Sequence, residues 1–451
     1  MPARTRPPAA ARTGAVLALA GSVVLVVVAI AFVAQHPLEV LGAIVLLLVA
    51  VTLAWMAATR HRFRVLMGAL AVAALVGAVV VVVVAGRGFL FIVAMVVLAV
   101  LVSVSGAAGL RWDVANAVAS RWSPAAPAQR GVLLMNPKSG GGKAQRFDLV
   151  SEAARRGVES IVLDPGDDLR ALAEAAVRRG ADVLGMAGGD GSQAIVAAVA
   201  AEHDVGYVCI PAGTRNHLAL DLGVDRNDVV GALDAFGAAV QTRMDIATMD
   251  GRTFVNNVSL GVYAHIVASQ DYRDNKLRTA AAALPNLLGP AAPPSGLRLR
   301  SPGGADIEDP QIVIVSNNPY RLERLAGFGT RAHLDRGVLG VAALRLNNAA
   351  DVARFIAAEA AGRVDRFPGW VSWQAPTLDI AAPGEVAAGV DGESCRERPP
   401  VRFEIRPRCL QARIAPHHPG ISPAARQPGV GRSTFLGLAR VAAGRHSGLV
   451  Q

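Results

Sequence analysis

The chain has 451 residues, of which 52% are hydrophobic, 5% aromatic and 18% charged, and its formal net charge is +10. A charged fraction below the usual ~25% and a mean hydropathy of +0.38 argue against an ordinary soluble enzyme and exclude disorder throughout the chain. This length allows about three domains, which is enough for a packed core.

The basic excess is concentrated at the two ends of the chain. Residues 1–130 carry ten Arg and two acidic residues, and residues 411–451 carry five Arg and no acidic residue. The middle is slightly acidic, so a nucleic-acid-binding core is not indicated. The three cysteines form no CxxC pair, which argues against a disulfide framework or a zinc site formed by them and suits a reducing compartment.

Four long apolar stretches occupy the N-terminal part, and each has the ~20 residues that cross a bilayer as a helix. They are residues 14–34, 38–58, 65–86 and 88–110. Arg residues cluster before the first stretch, between the second and third, and after the fourth, so the positive-inside rule predicts that both ends of this bundle face the cytoplasm. No charged residue lies deep within a stretch, which favours an anchor over a transport pathway. The sequence predicts a membrane domain over residues 1–120.

After a linker at 121–130, the pattern changes twice. Up to residue 250, apolar strands alternate with helices, which predicts a parallel sheet covered on both faces. The strands are expected at 131–135, 158–163, 182–187 and 205–210, and the helices near 143–156, 168–179 and 192–201. From 251 to 414, shorter apolar runs predict a mostly antiparallel, β-rich domain, with strands at 254–260, 311–316, 337–346, 377–381 and 401–405. Residues 289–304 are predicted to be a loop, and 415–451 a flexible basic tail.

Three glycine-rich turns each follow a predicted parallel strand. Their sequences are Met-Asn-Pro-Lys-Ser-Gly-Gly-Gly-Lys at 135–143, Ala-Gly-Gly-Asp-Gly-Ser at 187–192 and Ile-Pro-Ala-Gly-Thr-Arg-Asn-His at 210–217. Parallel strands bring such turns to one edge of the sheet, where ligands bind. Glycine lets backbone N–H groups approach phosphate oxygens, and the helix N-terminus that follows adds positive charge. One such turn is often only a tight connection, but three together predict a phosphate-binding edge.

These turns and several further motifs resemble the diacylglycerol kinase catalytic family, which includes bacterial lipid kinases and the sphingosine and ceramide kinases. The matching residues are Asn-Pro-x-Ser-Gly at 136–140, Gly-Gly-Asp-Gly-Ser at 188–192, Pro-x-Gly-Thr-x-Asn at 211–216, Met-Asp-Ile at 244–246, the Phe254, Asn256 and Gly261 pattern, and Val-Asp-Gly-Glu at 390–393. The resemblance covers about residues 130 to 410. It implies a two-domain α/β plus β-rich lipid kinase fold, with the nucleotide in the cleft between the two domains. This fold would follow the N-terminal α-helical transmembrane bundle that the apolar stretches predict.

The resemblance also implies roles for individual residues. Asp190 and Asp245 match carboxylates that would hold Mg²⁺, partly through water, and Glu393 matches the general base, with Asp391 beside it. Considered alone, Asp190 is equally a helix cap, Asp245 a turn residue, and Asp391 part of a hairpin turn with Glu393 facing solvent. ATP would be bound by residues of the three turns, namely Asn136, Pro137, Ser139, Gly140, Gly188, Gly189, Asp190, Gly191, Ser192, Thr214 and Asn216.

Three positions depart from the family pattern. His217 stands where the family commonly has Asp, although Asp221, one helical turn later, could restore the negative charge. Ser192 replaces Thr and keeps the hydroxyl. Arg336 occupies the usual ligand position of the accessory metal loop, which weakens the case for Mg²⁺ there and leaves Asp335 as the nearby substitute.

The sequence therefore predicts a membrane-anchored kinase that transfers the γ-phosphate of ATP to the hydroxyl of diacylglycerol or a related lipid. It would be a multi-pass protein of the cell membrane with a cytoplasmic catalytic domain. The expected partners are a lipid with a free hydroxyl and the membrane, without nucleic acid, and a homodimer is left open. Two alternatives stay open: an NAD-kinase-like enzyme with a soluble substrate, which would share the Gly-Gly-Asp-Gly turn, and a non-catalytic nucleotide- or lipid-sensing membrane protein.

Overall fold

The computed structural model describes residues 6–59, 69–70, 72–77, 80, 88–261, 295–320, 330–360, 363–426 and 432–447. The chain divides into two compact units, one of Met1–Ala117 with Pro428–Gln451 and one of Val118–Gln427.

The helices and strands of the described residues are numbered here in chain order. The α-helices are α1 Ala9–Gln35, α2 Pro37–Thr59, α3 Gly88–Arg121, α4 Lys143–Arg146, α5 Leu149–Arg155, α6 Leu169–Arg178, α7 Asp190–Glu202, α8 His217–Leu222, α9 Ala349–Ala360, α10 Pro423–Arg426 and α11 Arg432–Ala442. Short 3₁₀ helices lie at Ser139–Gly141, Gly231–Phe236 and Val364–Arg366. The β-strands are β1 Ser123–Ala125, β2 Gly131–Met135, β3 Glu159–Val162, β4 Val183–Ala187, β5 Gly206–Ile210, β6 Ala239–Met249, β7 Arg252–Phe254, β8 Asn257–Gly261, β9 Arg298–Arg300, β10 Asp306–Glu308, β11 Ile312–Asn317, β12 Leu339–Leu344, β13 Trp370–Ala375, β14 Thr377–Ala381, β15 Val386–Val390, β16 Glu393–Glu397 and β17 Val401–Ile414.

The first unit has small residues where its helices meet and large apolar residues on its outside. A Cβ added at Gly109 of α3 would lie 2.8 Å from the backbone nitrogen of Ala15 in α1, so glycine permits the close approach of these helices. Facing outward, Val23 of α1 is 63% exposed and Val104 of α3 is 62% exposed. Such an apolar exterior suits surroundings of lipid better than water.

The predicted spans are only partly matched by described helices. Two stretches, Ala9–Gln35 and Val93–Leu110, are long and apolar enough to cross a membrane. The second predicted span, 38–58, lies within α2, a helix of 23 residues in which Val40–Ala50 is a described apolar stretch. Most of the third, 65–86, lies outside the described residues.

The predicted flexible tail at 415–451 is wrong for its central part. Residues Arg432–Ala442 form α11, which packs on α1 through the buried side chains of Leu438 and Val441. The three-residue spacing of these two side chains places them on one face of a helix. The basic composition of the segment masked that short amphipathic pattern.

Two β-sheets build the second unit. In the larger sheet, β3, β2, β4 and β5 are parallel neighbours, which confirms the predicted parallel sheet. Every residue of β2, β4 and β5 is buried, which explains the continuous apolar sequences of these strands. The smaller sheet has the order β13-β12-β11-β8-β15-β16 and is antiparallel throughout, as the sequence predicted for this region.

The predicted domain boundary at residue 250 does not coincide with a boundary between the two sheets, because the larger sheet contains strands from both sides of it. Strand β17, from the predicted β-rich domain, pairs in parallel with β5 and antiparallel with β6 and β14. Its first half adds Phe403 to the core of the β-rich part, and its second half adds Leu410 to the core of the α/β part. The two parts of this unit therefore share a strand.

Two smaller expectations also differ from the structure. Within the predicted linker at 121–130, Ser123–Ala125 form β1, which pairs with β6. Within the predicted loop at 289–304, Arg298–Arg300 form β9, which pairs with β10 and β14. Both strands have only three residues, too few for an apolar periodicity to reveal them.

Candidate active site

The three glycine turns meet at one edge of the larger sheet. They follow β2, β4 and β5, which are adjacent and in parallel register, so all three strands end on the same side. A Cβ added at Gly140 of the first turn would overlap the carbonyl oxygen of Ala212 and lie 2.9 Å from that of Gly213. A Cβ added at Gly213 would lie 2.6 Å from the Cα of Gly189. The third turn thus touches both others, and only residues without a Cβ fit these contacts.

The first turn is held in an unusual backbone conformation. Gly140, Gly141 and Gly142 have φ angles of 56°, 72° and 77°, which are costly for residues with a side chain. At the start of the turn, the Asn136 side chain accepts a hydrogen bond from the backbone N–H of Lys138, at 3.0 Å. Asn136 therefore shapes the turn, and the neighbouring Pro137 and Ser139 lie partly buried within it.

The carboxylate of the second turn caps the helix of the third. Asp190 is 9% exposed and accepts hydrogen bonds from the backbone N–H groups of His217, at 3.1 Å, and Leu218, at 3.2 Å. These two groups belong to the first turn of α8, where they lack helical partners. Asp190 thus links the second turn to the third by hydrogen bonds. Gly188 precedes α7, and Gly191 and Ser192 lie in its first turn.

A glutamine that the sequence analysis did not single out forms hydrogen bonds to the ends of the two strands that precede the second and third turns. The buried Gln193 donates from Nε2 to the carbonyl oxygens of Met186, at 2.9 Å, and Ile210, at 3.0 Å. Its Oε1 accepts a hydrogen bond from the hydroxyl of the buried Tyr207. The position of Gln193 one residue after the motif is the only hint of this role in the sequence.

In the third turn, the side chain of Asn216 points inward. Its Nδ2 donates to the carbonyl oxygens of Pro211, at 3.0 Å, and Gly213, at 2.9 Å, and its own φ is 52°. The Oδ1 of Asn216 is buried and has no hydrogen-bond partner among the described residues. From the first turn, Lys143 donates to the carbonyl of Gly213 at 3.2 Å. Thr214, by contrast, is exposed at the rim.

A cavity of about 410 Å³ opens beside the third turn. Three basic side chains line it, namely those of Lys143, Arg215 and Arg226, together with Thr214 and Asn216. Burial lowers the pKa of Lys143, and the nearby Arg146 and Arg226 lower it further. This concentration of positive charge in a concave site favours an anionic ligand of nucleotide size.

The predicted catalytic pair lies on the hairpin between β15 and β16, and its two members have different environments. Asp391 has a φ of 48° and accepts hydrogen bonds from the backbone N–H groups of Val255, Asn256 and Asn257, at 2.8, 2.9 and 3.1 Å. Burial raises the pKa of Asp391 to about 7, with a further upward contribution from the charge of Asp190, while these backbone hydrogen bonds act to lower it. Asp391 therefore holds the hairpin in place.

Glu393 is 62% exposed and lies against the second glycine turn. A Cβ added at Gly191 would lie 2.8 Å from the Cδ of Glu393, so the carboxylate touches the start of α7. Its other oxygen is 3.4 Å from a guanidinium nitrogen of Arg252. The hairpin of the β-rich part thus carries a solvent-accessible carboxylate to the glycine-lined edge.

The two other predicted metal ligands have different surroundings. Asp245 is fully buried, and its carboxylate accepts hydrogen bonds from the backbone N–H groups of Gly337, at 2.6 Å, and Arg408, at 2.7 Å, and from Nδ2 of Asn318, at 3.0 Å. A carboxylate with three protein donors has little capacity left for a metal ion. Asp245 therefore fits a role in fixing the loops around it, and it does not fit a metal site.

Asp335 is surrounded by positive or potentially positive groups. His333 Nδ1 is 3.8 Å from its carboxylate and Arg408 is 3.7 Å away. The proximity of His333 lowers the pKa of Asp335, and the charges of Arg121 and Arg408 lower it further. These cations already compensate the carboxylate, so an accessory Mg²⁺ does not fit at Asp335. Among the described residues, Asp190, Asp245 and Asp335 do not converge as a group of three metal ligands.

The suggestion that Asp221 restores the charge missing at His217 is wrong, because Asp221 is already paired. Arg331 and Asp221 form a buried ion pair with a 2.7 Å nitrogen–oxygen distance. The same guanidinium donates to the carbonyl oxygens of Val255, at 2.6 Å, and Asn317, at 2.7 Å, and to Oδ1 of Asn256, at 2.9 Å. Arg331 thereby joins α8 to the β-rich part. No sequence motif pointed to it.

Comparison with known proteins gives a consistent result. Residues 130–249 match the family model of the diacylglycerol kinase catalytic domain. A diacylglycerol kinase of Mycobacterium tuberculosis is 35% identical over 105 residues, which are 22% of this chain and 34% of that protein, so the chain spans about a third of that relative's length. A diacylglycerol kinase of Staphylococcus aureus is 24% identical over 278 residues, or 59% of this chain and 86% of that protein.

Among solved structures, a Bacillus anthracis protein provisionally named a diacylglycerol kinase has a similar fold. The TM-score is 0.50 at 18% identity, and the alignment covers 64% of this chain and 98% of the other. At this identity, the likeness describes the fold.

Proposed function

The chain belongs, through residues 130–249, to the diacylglycerol kinase catalytic-domain family, and we propose that it is a membrane-anchored kinase that transfers the γ-phosphate of ATP to a lipid hydroxyl. The acceptor would be diacylglycerol or a related lipid. One observation carries the proposal: Glu393, from the β-rich part, lies against Gly191 at the edge where the three glycine turns meet. A base next to a phosphate-binding edge is what phosphoryl transfer to an alcohol requires.

The nucleotide would bind along the glycine turns and in the cavity beside them. The backbone at Gly188, Gly189 and Gly191 is free of side chains, and the N-terminus of α7 adds positive charge for phosphate oxygens. Lys143 and Arg215 line the adjoining cavity and would compensate further charge of the triphosphate.

Asp190 is the carboxylate that fits a Mg²⁺ ion bound together with ATP. It accepts two backbone hydrogen bonds, and a carboxylate has about four lone-pair positions, so part of its capacity is free. Mg²⁺ commonly uses one or two carboxylates, phosphate oxygens and water as ligands. When bound, the ion would offset the phosphate charge.

Glu393 would accept the proton of the lipid hydroxyl as that oxygen attacks the γ-phosphate. Its exposure leaves room for an acceptor substrate, and Arg252 lies 3.4 Å away. Asp391 would act through position, because its three backbone hydrogen bonds hold the hairpin that presents Glu393. The departures at His217 and Arg336 leave these two carboxylates unchanged.

The helices of the first unit support the proposed anchor in the cell membrane, with the kinase unit on the cytoplasmic side. Of the apolar windows in the two candidate spans, Ala9–Gln35 and Val93–Leu110, only 6% and 11% are buried inside the protein. A tether of this kind would hold the kinase at the surface where an insoluble acceptor is dissolved and so raise its effective concentration.

The test is to incubate radiolabelled ATP with membranes from cells that overproduce the full chain, and to identify the labelled lipid. Membranes with Glu393→Gln, and membranes from cells without the chain, are the controls. A labelled lipid that depends on Glu393 is the expected result. Label in NAD alone would favour the NAD-kinase-like alternative, and nucleotide binding without any labelled product would favour the sensor.

A further inference from the structure

Two histidines and an aspartate meet beside the cavity, just after the end of β17. Asp228, His417 and His418 each have a ligand atom within 4.8 Å of those of the other two. Among the described residues, no other group of three or more His, Cys, Asp or Glu side chains brings its ligand atoms so close together. His417 Nε2 lies 3.3 Å from Asp228 Oδ2, and the two imidazole rings have centroids 4.5 Å apart.

A second, independent observation is a buried nitrogen without a partner. His418 is 7% exposed, and its Nε2 has no hydrogen-bond partner among the described residues. An unpaired polar atom that is buried in this way is unfavourable, and a metal ion at Nε2 would relieve that cost.

The remaining hydrogen bonds leave the potential ligand atoms oriented toward one another. Asp228 accepts the backbone N–H of Gly231 with Oδ1, at 2.9 Å, which leaves Oδ2 facing His417. On the other side of the His417 ring, Nδ1 lies 4.0 Å from a carboxylate oxygen of Asp234.

One contact would be displaced by the metal ion. The Nδ1 of His418 accepts a long hydrogen bond of 3.3 Å from the backbone N–H of Asp225. Coordination through Nε2 transfers the ring proton to Nδ1, so this bond would be lost. Asp225 is exposed, and its N–H can then bond to water.

From these contacts we propose that Asp228, His417 and His418 bind one divalent transition-metal ion of the Zn²⁺ class. Two imidazoles and one carboxylate match the preference of Zn²⁺, whereas Mg²⁺ and Ca²⁺ prefer oxygen ligands alone. The side chains of His417 and Asp228 are 48% and 42% exposed, so water can complete the coordination from the open side.

The position of this site suggests what the ion does. Asp228 directly follows Asn227, and His418 directly precedes Pro419, and both of these neighbours line the cavity. An ion shared by the two segments would cross-link two walls of the cavity. Its expected effect is structural, a stiffer and more heat-resistant cavity wall, and this does not depend on whether the chain phosphorylates a lipid.

The test uses the full chain purified in detergent, stripped of metal with a chelator and titrated with Co²⁺ alone. The expected result is binding of one equivalent with visible ligand-field absorption, bleached when Zn²⁺ is added, and a higher midpoint of thermal unfolding with either ion. Absence of these bands in the wild-type protein would overturn the proposal.

Variants decide whether the three residues are the ligands. His417→Ala removes a half-exposed ring and should leave the fold intact, and Asp228→Asn keeps an acceptor for the N–H of Gly231; each should weaken Co²⁺ binding roughly 10-fold or more. His203→Ala, at an exposed histidine just after α7, is the matched control and should bind Co²⁺ like the wild type. Wild-type affinity in both ligand variants would exclude this site.

Discussion

Two groups of carboxylates that the sequence analysis assigned to catalysis or metal binding have different surroundings. At the glycine edge, Glu393 is largely exposed, and Asp190 accepts only two backbone hydrogen bonds. At the other group, Asp245 is fully buried under three donors, and Asp335 is surrounded by arginine and histidine side chains. The comparison shows that a carboxylate predicted from a motif is available to a ligand only where hydrogen-bond donors or cations of the protein do not already occupy its oxygens.

The largest expected effect is at the open carboxylate. Glu393→Gln should lower the turnover of lipid phosphorylation by about 10²–10⁴-fold, because the amide cannot accept the hydroxyl proton. The measurement is the initial rate of labelled lipid formation at saturating ATP.

Glu404→Gln is its matched control, since Glu404 is also exposed and paired with an arginine, Arg402. Turnover should stay near the wild-type rate in this variant. Equal rates in the two variants would remove Glu393 from the mechanism and with it the first half of the comparison.

The next effect concerns Asp221, whose buried carboxylate is neutralised by the guanidinium of Arg331. Arg331→Met leaves Asp221 charged and buried without a partner, and we expect a loss of about 3–5 kcal/mol in the free energy of unfolding. Urea unfolding followed by tryptophan fluorescence measures it. Adding Asp221→Asn to this variant should recover part of the loss, because the unpaired charge is then gone.

The control for this prediction is Arg243→Met, which breaks an exposed ion pair with Asp204. Its cost should be at most about 1 kcal/mol. If both arginine variants lost a similar free energy of unfolding, burial would not make the Arg331–Asp221 pair more important for stability than an exposed pair.

A smaller effect separates the two groups of carboxylates directly. Asp245→Asn replaces one acceptor oxygen by a donor, so at least one of its three hydrogen bonds is lost, at about 1–3 kcal/mol of stability. The apparent Mg²⁺ requirement of the kinase reaction should not change. A higher Mg²⁺ requirement in Asp245→Asn, with normal stability, would reverse the assignment of Asp245.

The smallest expected effect tests the packing of the turns. Gly213→Ala places a Cβ 2.6 Å from the Cα of Gly189, and the resulting shift should weaken ATP binding by about tenfold, or ~1.4 kcal/mol. Equilibrium binding of a fluorescent ATP analogue measures the change. Gly384→Ala, where an added Cβ meets nothing within 4 Å, should bind ATP like the wild type.

Much of the second unit was predictable because its strands and turns are indicated by short stretches of sequence. The alternation of apolar runs and helices predicted β2, β4 and β5 almost to the residue, and the three turns between them and their helices were correctly placed at one edge. The short strands β1 and β9 and the helix α11 were missed. The two strands have three residues each, and all three elements pair or pack with segments far away in the chain.

By itself, the sequence determined the parallel sheet, its glycine-lined edge and the apolar helices of the first unit, because periodicity and turn chemistry act between neighbouring residues. Only the tertiary structure decided which carboxylates stay open. The two backbone donors to Asp245 come from residues 92 and 163 positions away, and the partner of Asp221 lies 110 positions away. Such contacts form when distant segments pack together, and no local pattern encodes them.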